Sequence, residues 1–179
     1  MDEDDFEREL YQLAIHEAGH AAAAWYSGLE VENVSLWGDS ESDGRTLIVA
    51  PPRLSSYQDV APVIWRCRSV EARIRICFAG PLAEGRFAGE TLRVAAANND
   101  FTQGVLLLRD LADTHVERER IGDYLVKETQ KLIRKRWREI DLLASALIAN
   151  GDLNSAEIEA KLGPPRWEFL CRTSVGADQ

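Results

Sequence analysis

The sequence predicts a mainly α-helical domain carrying one small β-hairpin. Three observations predict it: apolar residues recur at three- and four-residue spacing through most of the chain, one short stretch alternates instead, and glycine or proline falls at the junctions. With 179 residues, 45% hydrophobic and 28% charged, the chain has material for one domain with its own core and lies outside disordered or collagen-like compositions. The expected core covers about 6–162 of a single domain spanning 1–179, with an irregular tail over 163–179 opened by Gly163-Pro164-Pro165.

The first helix is expected over 6–27. Leu10, Leu13, Ala14, Glu17, Ala18, Ala21, Ala24 and Trp25 share helical spacing, and Gly28 is a natural stop. The run Ala21–Ala24 favours helix strongly and allows close approach to a neighbour. Over 31–37, Val31, Val34 and Leu36 separate from Glu32, Asn33 and Ser35, and 45–50 is rich in β-formers. The polar loop between them has Gly38 and Gly44 at its ends, so the pair reads as a hairpin closed by Pro51-Pro52. A helix over 61–78 carries Val63, Ile64, Cys67, Val70, Ile74 and Cys77, with a break or kink expected at Ala79-Gly80-Pro81 and a further turn or two over 82–87. Asn98-Asn99-Asp100 supplies capping residues for a helix over 101–112. The stretch 116–150 reads as one long helix or two abutting ones, and 154/155–162 as a short capped helix.

Composition excludes several classes. Thirty acidic against twenty-one basic residues give a net charge of −9, which repels phosphate and argues against nucleic-acid binding. Cys67, Cys77 and Cys171 are odd in number and lie far apart, as reduced thiols of a cytoplasmic chain do. The acidic start lacks the character of a signal peptide, and no apolar run approaches the ~20 residues of a membrane-spanning helix. No Gly-Lys dipeptide occurs, so a phosphate-binding loop of the P-loop type is missing. The basic run Lys131, Arg134, Lys135, Arg136 and Arg138 reads as a solvated helix face.

The residues that carry chemistry lie in the first helix. His16-Glu17-Ala18-Gly19-His20 is an HExxH sequence in a chain with only three histidines. Residues four apart on a helix have Cβ atoms about 6 Å apart, so two imidazoles can reach one metal ion at ~2.0–2.1 Å. Glu17 lies about 100° round the helix, placed to act as general base on a water activated by zinc. The alternative is two neutral histidines that merely pack or bond to backbone.

A catalytic zinc needs a third protein ligand. Ala23 and Tyr26 stand where the metzincin extension has glycine and histidine, which excludes that subclass. Glu71, Glu84, Asp100, Asp110 and His115 are the downstream candidates. His115 reads as a surface or capping histidine, and Glu71 and Asp110 as solvated positions. Glu84 and Asp100 have apolar or small neighbours, and spacing does not choose between them.

His16-Glu-Ala-Gly-His-Ala21 resembles the active-site helix of the FtsH family of AAA+ zinc proteases. Val34-Ser35-Leu36 with Gly44-Arg45-Thr46 resembles that family's hairpin beside the site, and Phe78-Ala-Gly-Pro-Leu-Ala-Glu84 its Gly-Arg-x-Ala-Glu-Glu helix. Ala96-Ala97-Asn98-Asn99-Asp100-Phe101 resembles the Gly-Ala-x-Asn-Asp segment, whose aspartate is the family's third zinc ligand. Leu142-Leu143-Ala144-x-x-Leu147 and Ala156-Glu-Ile-Glu-Ala resemble its C-terminal helices, in matching order. The resemblance implies zinc held by His16, His20 and Asp100, Glu17 as general base, and a supporting role for Glu84. It departs at Pro81, where the family has arginine, and at Gly85, where it has a second glutamate. It further implies rings of six copies. The family's motor and membrane anchor are missing, which implies a separate ATPase partner.

The expected function is therefore a soluble zinc metallopeptidase acting on peptides or unfolded proteins. One edge of the hairpin is a candidate cradle for an extended substrate, although the hairpin also serves to cover the core. The rival expectations are an inactive peptide-binding or adaptor module that keeps the fold, and hydrolysis of a non-peptide amide at the same metal.

Overall fold

The computed structural model describes residues 3–37, 44–48, 62–89 and 99–164. Among them run helix α1 (Glu3–Tyr26), strands β1 (Val31–Ser35) and β2 (Arg45–Ile48), and helices α2 (Pro62–Ala88) and α3 (Asn99–Leu107). A 3₁₀ turn (Leu108–Asp110), helices α4 (His115–Lys135) and α5 (Trp137–Asn150), strand β3 (Asp152–Asn154) and helix α6 (Ser155–Leu162) complete them. The fold is mainly helical with one small antiparallel sheet, as the sequence predicts. No helix among the described residues is long and apolar enough to cross a membrane. The hairpin tip at 38–43, the ends of the expected segments at 49–61, Asn98, the side chain of Cys67, Cys171 and the tail from 165 lie outside the described residues.

Helix α1 changes character along its length. It is exposed through Glu9 and buried from Ala14 onward, so its second half passes through the core. Its small residues permit that passage. A Cβ built on Gly19 would lie 2.8 Å from the Ala79 carbonyl oxygen and 2.9 Å from the Ala83 Cβ, which places the crossing of α1 and α2 at Gly19.

Helix α2 corrects one expectation. It is continuous from Pro62 to Ala88, with Pro81 inside it rather than at a break. Proline removes one backbone donor and normally restricts the residue before it, but that residue is Gly80, which has no Cβ to clash. Burial of Phe78, Ala79, Leu82 and Ala83 along the same stretch offsets the missing hydrogen bond.

The sheet order is β2-β1-β3, all antiparallel. Val31 and Val34 are both buried although three residues apart, and a β-bulge between Val31 and Asn33 reconciles that spacing with a two-residue repeat. Strand β3 is absent from the sequence reading. Only Leu153 of its three residues is buried, too short a signal for alternation to show. Asn154 then caps α6 with a capping box, accepting from Ala156 and Glu157 backbone N–H groups while Glu157 accepts from its own.

The 116–150 stretch resolves as two abutting helices that meet at Arg136, where φ is −110° and ψ 20°. The Arg136 guanidinium covers the Tyr26 ring at 4.0 Å and pairs with Glu139 at 3.0 Å. Lys131, Arg134, Lys135 and Arg138 are exposed, with Lys131 paired to Glu128 at 2.6 Å.

Candidate metal centre

One open cleft of about 620 Å³ runs along α1, whose Glu9, Gln12, Leu13, His16, Glu17 and His20 line it. Its other walls come from Gly44, Arg45, Thr46 and Ile48 of the hairpin, Ile76, Cys77 and Glu84 of α2, and Asn99 and Asp100 of α3. Four segments distant in sequence thus meet over the His-Glu-x-x-His turn.

The two imidazoles face one another. His16 Nε2 and His20 Nε2 are 3.0 Å apart, and Asp100 Oδ2 lies 3.1 Å from the first and 3.3 Å from the second. Ligands at 2.0–2.2 Å round a tetrahedral ion are separated by about 3.3 Å, so this triangle has the size of a zinc face. His16, His20 and Asp100 form the one group among the described residues in which three potential metal ligands converge. Asp100 comes from the first turn of α3, anchored by its neighbour Phe101, whose ring stacks on Phe78 with centroids 4.4 Å apart.

Protons decide what the triangle can hold. His20 Nδ1 is 2.7 Å from the Ile76 carbonyl oxygen, which only accepts, so Nδ1 carries the hydrogen and donates it. His16 Nδ1 is 2.7 Å from Glu84 Oε2, and the hydrogen bond from His16 is the main cause that holds the Glu84 carboxyl below its ordinary range. A neutral imidazole with its hydrogen on Nδ1 presents a lone pair at Nε2. With both hydrogens on Nδ1, two Nε2 lone pairs and a carboxylate oxygen converge, a donor set that could hold a metal ion. Burial draws the His16 pKa down, but hydrogen bonds to Asp100 and Glu84 outweigh it and push the value up to about 9. His16 and His20 together hold the Asp100 carboxyl well below the usual carboxylate range. In the metal-free protein a proton on His16 therefore supplies the missing positive charge.

Helix α2 organises this shell from behind. Ile76, Gly80 and Glu84 fall four residues apart on one face of it. Ile76 fixes His20 and Glu84 fixes His16, the outer-shell arrangement that orients metal-bound histidines. Glu84 is itself held by Gln12, whose Nε2 donates to Oε1 at 2.9 Å. Gly80 keeps the space clear: a Cβ there would overlap His20 Nε2 and stand 2.8 Å from His16 Nε2.

Glu17 lies in the same cleft, its residue buried. Thr46 of β2 donates its hydroxyl to Glu17 Oε2 at 2.7 Å, and a Cβ on Gly44 would come within 2.6 Å of Oε1. Cys77 also lines the cleft. Burial, then the charge of Asp100, raises its thiol, so it stays protonated and does not compete as a thiolate ligand.

The remaining sequence candidates stay outside. His115 is exposed and faces Glu119 at 3.4 Å, Asp110 is exposed, and neither these nor Glu71 lines the cleft. Sequence reasoning gave no individual role to Gln12, Gly44, Thr46, Ile76 or Gly80, although Gly44 and Thr46 fall in the hairpin segment, and Gly80 in the helix segment, that carry the resemblance. The i, i+4, i+8 spacing of Ile76, Gly80 and Glu84 is the signal that could have found two of them, since it matches the spacing of His16 and His20. No protein-family model matches the chain, and none of the curated proteins compared with it is similar.

Proposed function

We propose that the protein is a zinc-dependent metallopeptidase of the FtsH type that hydrolyses peptide bonds in unfolded proteins or peptides. The observation that carries this reading is the convergence of His16 Nε2, His20 Nε2 and Asp100 Oδ2 in a cleft that also holds Glu17. His16, His20 and Asp100 would hold the ion. Zinc, when bound, supplies Lewis acidity that polarises a carbonyl and acidifies water.

The chain's own residues supply the rest. Glu17 takes a proton from the attacking water on a carboxylate oxygen and returns it to the departing amide nitrogen, so that an amine and a carboxylic acid leave. Glu84 and the Ile76 carbonyl keep both histidines with their hydrogens on Nδ1. Strand β2 borders the cleft and, among the described residues, pairs only with β1. Its outer edge offers backbone groups to an extended chain, which favours unfolded substrates and little sequence preference. The open cleft serves a threading polymer better than a small amide. A ring of copies and a separate ATPase that delivers unfolded chain belong to the same proposal, and size-exclusion of the zinc-loaded protein tests the ring.

The test of activity is hydrolysis of casein by zinc-loaded protein and by Glu17→Gln. Cleavage by the first and none by the second, with one zinc per chain in both, supports the reading. Equal cleavage by both discards it.

A further inference from the structure

Glu17 sits in a costly place. Its residue is only 6% exposed, and a buried carboxylate is destabilising unless a donor meets it. Among the described residues Thr46 is the only side chain that donates to it, at 2.7 Å to Oε2. The Thr46 hydroxyl has a second acceptor in reach, the Glu17 carbonyl oxygen, but at 3.3 Å that contact is the weaker.

The other oxygen is confined by shape. Oε1 lies against Gly44, where a Cβ would stand 2.6 Å from it and 2.8 Å from Glu17 Cγ. The carboxylate is thus held between a hydroxyl on one side and a notch in the backbone on the other. Both come from the start of the second hairpin strand, and Thr46 is fixed there by pairing opposite Val34, which is buried. Neither contact touches His16, His20 or Asp100, so the device acts on the base alone.

Resting on the peptidase reading above, we propose that Thr46 is a positioning residue for Glu17: its hydroxyl holds the carboxylate at the angle from which it exchanges protons with water and the leaving nitrogen. Loss of that hold leaves the metal ligands untouched and moves the base. A displacement of about 1 Å in a catalytic group lowers turnover by up to about a hundredfold.

Thr46→Val keeps the branched shape that suits a strand and removes only the hydroxyl, and Thr46→Ser keeps the hydroxyl. Three measurements on zinc-loaded protein read the outcome: zinc per chain, kcat and KM on casein, and the Glu17 rotamer in crystals of wild type and Thr46→Val. The proposal expects one zinc per chain throughout, kcat of Thr46→Val down by about ten- to a hundredfold with KM within about twofold, and recovery in Thr46→Ser. It expects the Glu17 carboxylate to swing away in the Thr46→Val crystal. A kcat unchanged by Thr46→Val, or a Thr46→Ser as slow as Thr46→Val, overturns it. If wild type itself fails to cleave casein, the peptidase reading falls, and Thr46 is judged by the crystals: a Glu17 carboxylate that keeps its place without the hydroxyl overturns its role.

Discussion

His16 Nδ1 and Glu84 Oε2 stand 2.7 Å apart, joining α1 to α2 directly behind a candidate metal ligand. Because Glu84 also accepts from Gln12, it cannot swing away without breaking a second hydrogen bond. Glu84→Ala removes the partner that fixes the His16 tautomer. Outer-shell losses of this kind weaken metal binding by about 10–100-fold. Competition with a zinc chelator measures it, and an unchanged affinity would mean that Glu84 serves only the packing of the two helices.

Gly80→Ala separates the site from the fold. Alanine is ordinarily the better helix former by about 1 kcal/mol, but here its Cβ meets the ring of Pro81, so the two effects on α2 offset one another. The added methyl nevertheless occupies the space of the imidazole nitrogens. The expected result is helical content at the wild-type level by circular dichroism, with zinc affinity reduced about a hundredfold or more. Zinc binding at wild-type strength would contradict the placement of the two Nε2 atoms.

The metal-free protein should lose stability in alkali. The folded pKa of His16, about 9, lies above its ordinary 6.5, so the protonated form is the one the fold favours. That contribution is complete below pH 6.5 and disappears as pH rises through about 9; it is on the order of 3 kcal/mol. On the acid side the lowered pKa of Asp100 works oppositely, its contribution present above 3.8 and lost as pH falls. Urea midpoints of chelator-treated protein at pH 7 and pH 10 measure the alkaline loss, and His16→Gln should abolish it. Zinc affinity should climb about tenfold per pH unit up to pH 9, as the ion displaces one proton.

Pro81→Ala weighs two opposed effects. Proline inside a helix costs about 3 kcal/mol, while trimming two buried methylenes gives back about 1.6 kcal/mol of that gain. The net expectation is a more stable protein by roughly 1 kcal/mol, or a Tm higher by about 2–4 °C. A lower Tm would show that the ring packs α2 better than its missing hydrogen bond harms it.

The helices and the hairpin were legible because their signals are local. Ala14 to Trp25 announce a buried helix, and Asn154 with Glu157 announces a capped one. The His16–His20 pair was legible for the same reason, since both residues lie on one turn. Asp100 was singled out from the other candidates through resemblance alone, because nothing local says that α3 packs on α2 with Asp100 against His16 and His20. Of the break or kink expected at Pro81, the break does not occur, because the packing of α2 on α1 overrides a local preference and Gly80 removes the clash in advance. Gly44 and Thr46 were placed beside the site by resemblance, but their contact with Glu17 was not legible, because it lies across the sheet–helix boundary and their own neighbourhood reads as an ordinary turn and strand.

The four-residue repeat of Ile76, Gly80 and Glu84 makes the centre sensitive to length as well as to identity. Deleting one residue between Ile76 and Glu84 would rotate everything beyond it by about 100° and carry Glu84 away from His16 while Ile76 kept its hold on His20. Substitutions on the solvent side of that helix are tolerable, whereas insertions or deletions within those two turns are not. Anyone grafting this centre onto another scaffold must therefore transplant an intact antagonist helix, in phase, together with the histidines.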